Sequence, residues 1–271
     1  MQNSQMRWAR VPFDHFIQFV QETHRILLMS MRGISGLQAM PGLIRALAPV
    51  EACARDQQVE SHNDDLEEAT QMAAFAKAEA ESGFPLVHAH AIVGMWGALE
   101  ALIDDVVSCW LVHVPELLQQ DAILRIRLPL ARFHLLDEED RMGLVINELK
   151  REAKTAFKPG VAGFEDVLSM IGLGGPVEEE DRRALLEMRV VRNLWVHRRG
   201  VADRRAVDAC PWADFAIGQR VQITHPLYHR YHDAIQNYVL TLINRVRRKI
   251  GLTEYGGEAT AHDANGGEDT S

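Results

Sequence analysis

The chain has 271 residues, 47% of them apolar and 25% charged, with a formal net charge of −9. That length suits one large domain or a domain with extensions, and the apolar share is enough for an ordinary buried core. The acidic balance excludes a whole-chain attraction to nucleic acid or anionic membrane, although residues 182–205 carry eight arginines against Glu187 and Asp203, a local charge of +6.

Cys53, Cys109 and Cys210 are odd in number and widely spaced, so they form neither a disulfide framework nor a zinc-ligand pattern. They fit a reducing compartment, and a cytoplasmic location is expected. Arg7, Arg10 and Asp14 interrupt the early residues, where a signal peptide would need an apolar core. No membrane span is expected; the apolar-rich segment 101–118 is broken by Asp104 and Asp105.

In chain order, residues 1–12 read as irregular. Asp14 is positioned to cap a helix running to about Met31 that holds Phe16, Phe19 and Val20, with Gly33 and Gly36 expected to break it. A short helix follows from Pro41 to Arg55. Residues 56–65 are polar and read as a loop, with Asn63 or Asp64 capping an Ala- and Glu-rich helix over 66–81. Residues 1–80 are thus expected to be a helical N-terminal extension. Pro85 opens a long helix to about residue 113, carrying Val87, Ile92, Trp96, Leu99, Leu102, Ile103 and Val106; it is expected to be the buried centre of a bundle. Pro115 ends it.

Further helices are expected over 116–127, over 137–157 behind four acids at its positive end, and over 164–171. Pro176 is expected to begin the next one. There, Leu185, Met188, Val191 and Trp195 recur three or four apart as one apolar stripe, and Gly200 supplies the positive φ at which a helix stops. Residues 203–216 are mixed, with a turn near Pro211. Residues 216–224 alternate apolar and polar, which suits at most a short β element. Pro226 opens a last helix to about Ile250 with a basic end, and the Gly- and acid-rich 251–271 reads as a disordered tail. Without βαβ alternation, the fold class is all-α.

Several groups carry chemistry. Arg192, Asn193 and His197 lie near the end of the Leu185–Gly200 helix. An arginine grips a phosphate with a planar fork, and a histidine exchanges a proton near neutral pH. At about 100° per residue, Asn193 and His197 share a face, while Arg192 and His197 stand roughly 140° apart. One regular helix does not easily aim both at a single phosphate, so either the helix end is distorted or a second copy of the chain completes the site. Glu187 reads as a surface acid, with pairing to a motif arginine as the alternative. Glu100 and Asp104 share a face of the long helix, within reach of the motif arginines, as structural ion pairs. His225, His229 and His232 follow one face at the start of the last helix, a spacing that permits two metal ligands, although His225 precedes Pro226 and need not be helical. His88 and His90 point opposite ways and exclude a joint site. A phosphate-binding glycine loop and a serine-hydrolase elbow are both missing from the sequence.

The run Arg192-Asn193-Leu194-Trp195-Val196-His197 resembles the signature of the HEPN superfamily: arginine, a polar residue, three more, then histidine. Its flanks, Glu187–Val191, His197–Asp203, Ala209–Trp212 and Gly218–Thr224, are similar to stand-alone bacterial members near the RiboL-PSP branch, and the likeness covers about residues 85–250. The resemblance implies an up-and-down helical bundle over 81–250 that forms a homodimer with two motifs facing each other. It also implies a metal-independent endoribonuclease with no cofactor and no metal. Its partners would be RNA and, for a defence or toxin–antitoxin role, an antitoxin protein, with no membrane. His197 would take the proton of the RNA 2′-hydroxyl or give one to the leaving 5′-oxygen, Arg192 would offset charge on the phosphorane, and Asn193 would orient His197 or bind the phosphate. The ends left would be a 2′,3′-cyclic phosphate and a 5′-hydroxyl. Arg189, Arg198, Arg199, Arg204 and Arg205 would guide the RNA backbone. The alternative is a non-catalytic HEPN module that binds RNA, a nucleotide or a protein.

Overall fold

A computed structural model describes residues 7–54, 60–155 and 158–256. Among the described residues it holds eleven α-helices and no strand. They are α1 (Val11–Leu37), α2 (Met40–Ala54), α3 (Glu60–Glu81), α4 (Pro85–His113), α5 (Asp121–Leu124), α6 (Leu130–Leu135), α7 (Glu138–Glu152), α8 (Ala162–Met170), α9 (Glu179–Arg198), α10 (Arg204–Ala209) and α11 (His225–Lys249), with 3-10 turns at Arg7–Ala9 and Pro115–Gln119. The all-α expectation holds.

The core is built on α4. Ile92, Met95, Trp96, Leu99 and Val107 have no exposed surface, and Leu102, Ile103 and Val106 have almost none. Each side chain of this size contributes about 1.5–3 kcal/mol when fully buried. Around α4 pack α1, α9 and α11, and α9 also packs along α11. By length and composition α4 is apolar enough to cross a membrane, which corrects the expectation that no segment is. In this fold those apolar residues are consumed by three neighbouring helices. Outside the core, α3 packs on α1 and α2, while α1 itself sends Phe13, Phe16, Val20 and Leu27 into the core.

Several boundaries differ from the sequence reading, each for a local reason. Helix α1 begins at Val11, with Asp14 inside its first turn and paired to Arg10 at 3.0 Å, and it runs through Gly33 and Gly36. Neither glycine adopts a positive φ, and a helical glycine costs only about 1 kcal/mol relative to alanine. Helix α3 begins at Glu60, so much of the expected polar loop is helical; residues 55–59 lie outside the described residues. Segment 116–127 divides into a 3-10 turn and the short α5. Asp137 caps α7 by accepting from the Asp140 N–H at 2.9 Å. The motif helix starts at Glu179 rather than Pro176.

The alternating segment 216–224 forms no strand. It contributes one isolated antiparallel bridge, Val201 to Arg220, flanked by Ala202 N–H donating to the Gln219 carbonyl and Val221 N–H donating to the Gly200 carbonyl, both at 2.9 Å. After α11 the chain folds back. Asn244 exchanges hydrogen bonds with the Tyr255 backbone, Arg247 lies 4.0 Å from the Tyr255 ring centre, and Arg248 pairs with Glu254. Residues 251–256 of the expected tail are therefore ordered, and residues 257–271 lie outside the described residues.

Candidate functional site

Helix α9 lies between α4 and α11 because Leu185, Met188 and Val191 have no exposed surface and point into that seam. Its end is set by two residues in the left-handed region, Arg199 at φ 56° and Gly200 at φ 82°. The Gly200 N–H closes the last turn by donating to the Leu194 carbonyl at 2.9 Å. A Cβ at Gly200 would sit 2.9 Å from Trp195 Cε2, so the position needs glycine for space as well as for conformation. Trp195 is capped on its other side by Arg220, 4.4 Å from the ring centre. The 200–221 latch and this stack hold the end that carries the motif.

Arg192 turns toward α4. Its Nη1 donates to Asn193 Oδ1 at 3.0 Å, and its Nη2 donates to Glu100 Oε2 at 3.3 Å. Glu100 is itself fixed, because its Oε1 accepts from Trp96 Nε1 at 2.9 Å. The Arg192 side chain is 26% exposed, and its Nε is buried without a partner among the described residues. Of the two acids expected near the motif arginines, Glu100 meets Arg192, whereas Asp104 pairs with Lys150 at 2.6 Å.

His197 is on the other side of the helix and exposed. It continues a stripe through Leu186, Val190 and Asn193, spaced four, three and four, which loses cover toward the helix end: Leu186 lies against Gly160, whereas His197 meets solvent. The structure brings Arg192 and Asn193 together. No hydrogen bond among the described residues joins His197 to them.

Of the five flanking arginines, Arg198, Arg199, Arg204 and Arg205 are exposed. Arg198 pairs with Asp203 at 3.3 Å, and Asp203 also caps α10 by accepting from the Ala206 N–H at 2.9 Å. Arg189 is different. Its Nη1 donates to the carbonyls of Lys158 and Gly160, and burial lowers its pKa from the ordinary arginine value. It staples the 158–160 loop to α9.

Glu187 is no surface acid. It is buried, with Tyr231 donating to Oε1 at 2.8 Å, Arg230 pairing with the same oxygen, and Trp212 Nε1 donating to Oε2 at 3.1 Å. A second hub repeats the pattern along α11: Tyr238 donates to Glu165 Oε1 at 2.8 Å, and Arg245 Nη1 reaches both carboxylate oxygens at 2.9 Å. Burial, then the adjacent carboxylate, raises both tyrosine pKa values above the phenol range. The readable signal was Tyr231 and Tyr238, seven apart on the apolar side of α11, since a buried phenol needs an acceptor. Beside Glu187 opens a cleft of about 620 Å³ lined by Trp212, Phe215, Arg220, Gln222 and Arg230. Burial pushes the Cys210 thiol up to about 12, which removes it as a nucleophile.

The histidines of α11 also differ from expectation. His225 is helical, and His229 Nε2 is 3.0 Å from His225 Nε2. His225 Nδ1 is 3.5 Å from Nε2 of His88, a neighbour the sequence reading did not consider for it. Among the described residues no group of three or more His, Cys, Asp or Glu side chains converges as a metal site. Comparison with family models, with curated proteins and with solved structures finds no match to this chain.

Proposed function

We propose that this chain is a HEPN-type, metal-independent endoribonuclease that acts as a homodimer, cutting RNA by 2′-hydroxyl attack to leave 2′,3′-cyclic phosphate and 5′-hydroxyl ends. The observation that carries the reading is the motif at the end of α9: a histidine free to solvent at residue 197, with Asn193 one turn before it and Arg192 fixed by Glu100 on a different side. In this reading His197 moves the proton, Arg192 offsets charge on the phosphorane and Asn193 orients the imidazole or the phosphate. RNA carries its own nucleophile, so no metal-bound water is required.

The same geometry supports the dimer. The Leu186–Val190–Asn193–His197 stripe is spaced as a helix-pairing seam and is left uncovered at its end, where exposed Val196 adds apolar surface. Pairing two α9 helices there sets the polar residues of one copy opposite those of the other. The exposed Arg198, Arg199, Arg204 and Arg205 provide backbone contacts, and the Trp212 cleft supplies an aromatic face and two arginines for an unpaired nucleotide. A defence or toxin–antitoxin role, with an antitoxin partner, rests on the motif resemblance, and a cytoplasmic location on the cysteine pattern.

A second reading, a non-catalytic module that binds RNA, a nucleotide or protein, draws on the engagement of the Arg192 guanidinium by Glu100 and Asn193. Incubation of purified protein with end-labelled RNA in EDTA separates the two. The enzyme reading expects cleavage with cyclic phosphate ends; binding without cleavage supports the module instead.

A further inference from the structure

We propose that His225 and His229 form a binding site for a divalent transition-metal ion of intermediate softness, such as Zn²⁺ or Ni²⁺, through their two Nε2 atoms, with His88 fixing the first imidazole from behind.

His225 and His229 are one turn apart at the start of α11, and their rings approach to 4.3 Å between centres. The Nε2 atoms are 3.0 Å apart. Two imidazole nitrogens at about 2.0–2.1 Å from one ion, at an angle near 90–110°, stand roughly 2.9–3.4 Å from each other. The pair is therefore held at chelating distance by the helix backbone.

The buried neighbour behind His225 supports the same arrangement. His88 has no exposed surface. With its Nε2 3.5 Å from His225 Nδ1, His88 can accept the Nδ1 proton. That leaves the His225 Nε2 as a bare lone pair aimed at His229. A ring nitrogen held by a hydrogen-bond acceptor on its far side is the usual state of a metal-ligating histidine, the acceptor setting both tautomer and orientation.

His225 is exposed and His229 half-exposed, so an ion reaches the pair from solvent, and water fills its remaining positions. His232 belongs to the neighbourhood but not to the site. Its ring centre is 6.5 Å from that of His229, and its nitrogens are taken by Gln236 and Asp233. Imidazole pairs suit zinc, nickel and copper rather than magnesium or calcium. The ion has no part in the proposed RNA chemistry.

The test is titration calorimetry of the full chain with ZnCl₂ and with NiCl₂ at pH 7.5. One ion per chain is expected, with saturable binding lost in both His225→Ala and His229→Ala and kept in His232→Ala. His88→Phe retains the ligands but removes the acceptor, and is expected to weaken binding about 10–100-fold. Helical circular dichroism of each variant separates loss of the site from loss of the fold. No saturable binding by the wild type overturns the proposal and leaves a simple imidazole hydrogen bond. So does undiminished binding in folded His229→Ala.

Discussion

Arg192 and Glu100 meet across the α9–α4 seam, guanidinium Nη2 to carboxylate Oε2 at 3.3 Å, with the carboxylate held from behind by the Trp96 indole. A buried aromatic on the core helix thus sets the direction of a cation on the motif helix. Glu100 is a positioning residue in this arrangement, and Arg192 is the group that would meet phosphate.

Replacing Glu100 by alanine releases Arg192 while leaving the apolar seam intact. The ion pair is part-exposed and contributes little, but the buried Trp96 N–H loses its acceptor, so a loss of about 1–3 kcal/mol is expected. RNA cleavage is expected to fall about 10–100-fold in kcat, with KM little altered, because a misplaced guanidinium loses its aim at the developing charge. Single-turnover kinetics on labelled RNA reads this directly; unchanged kcat would show that Arg192 is not positioned by Glu100.

Glu187 offers a contrast, being buried and structural. Glu187→Ala leaves the Tyr231 hydroxyl and Arg230 without their acceptor and is expected to cost about 2–4 kcal/mol, whereas Glu187→Gln keeps an acceptor and costs less. Urea unfolding of both variants measures the difference. An alanine variant as stable as the wild type would show that the hub contributes little.

His88 makes stability depend on pH. In the folded chain burial, then His225, lowers its pKa below the ordinary 6.5. Below pH 6.5 the unfolded chain binds a proton there that the folded chain refuses, so stability falls as pH drops from 6.5 toward the folded pKa and levels off beneath it. His225 and His229 stand beside it, with the Tyr228 ring 5.0 Å away. Thermal unfolding in EDTA from pH 7.5 to 5 is expected to show a steeper decline for the wild type than for His88→Phe. Parallel declines would assign the dependence to other groups.

Much of the fold was legible because the apolar positions obey a helical period. The long helix from Pro85 to residue 113, and the stop at Gly200, follow from side-chain spacing, one proline and one glycine. What escaped was long-range. Nothing near Glu187 in sequence announces that Arg230 and Tyr231, more than forty residues on, bury it. Arg189 resembles its exposed neighbours in composition, yet it is tied to the Lys158 and Gly160 carbonyls. His88 stands next to His90 in sequence, while its partner, His225, comes from another helix. Segment 216–224 has the alternation of a strand but only Val201 beside it to pair with, so it ends as a single bridge. At the candidate site, the separation of Arg192 from His197 was readable from helix geometry; the carboxylate that fixes Arg192 became specific only through packing on α4.

The most direct test of the central claim is cleavage of end-labelled RNA in EDTA by wild type and by His197→Ala at matched, folded concentrations. General acid–base transfer contributes about 10²–10⁴-fold in rate. The account predicts a loss of that order in the variant, with cyclic phosphate ends from the wild type. Equal cleavage by the two proteins, or wild-type activity that requires added metal, would contradict it.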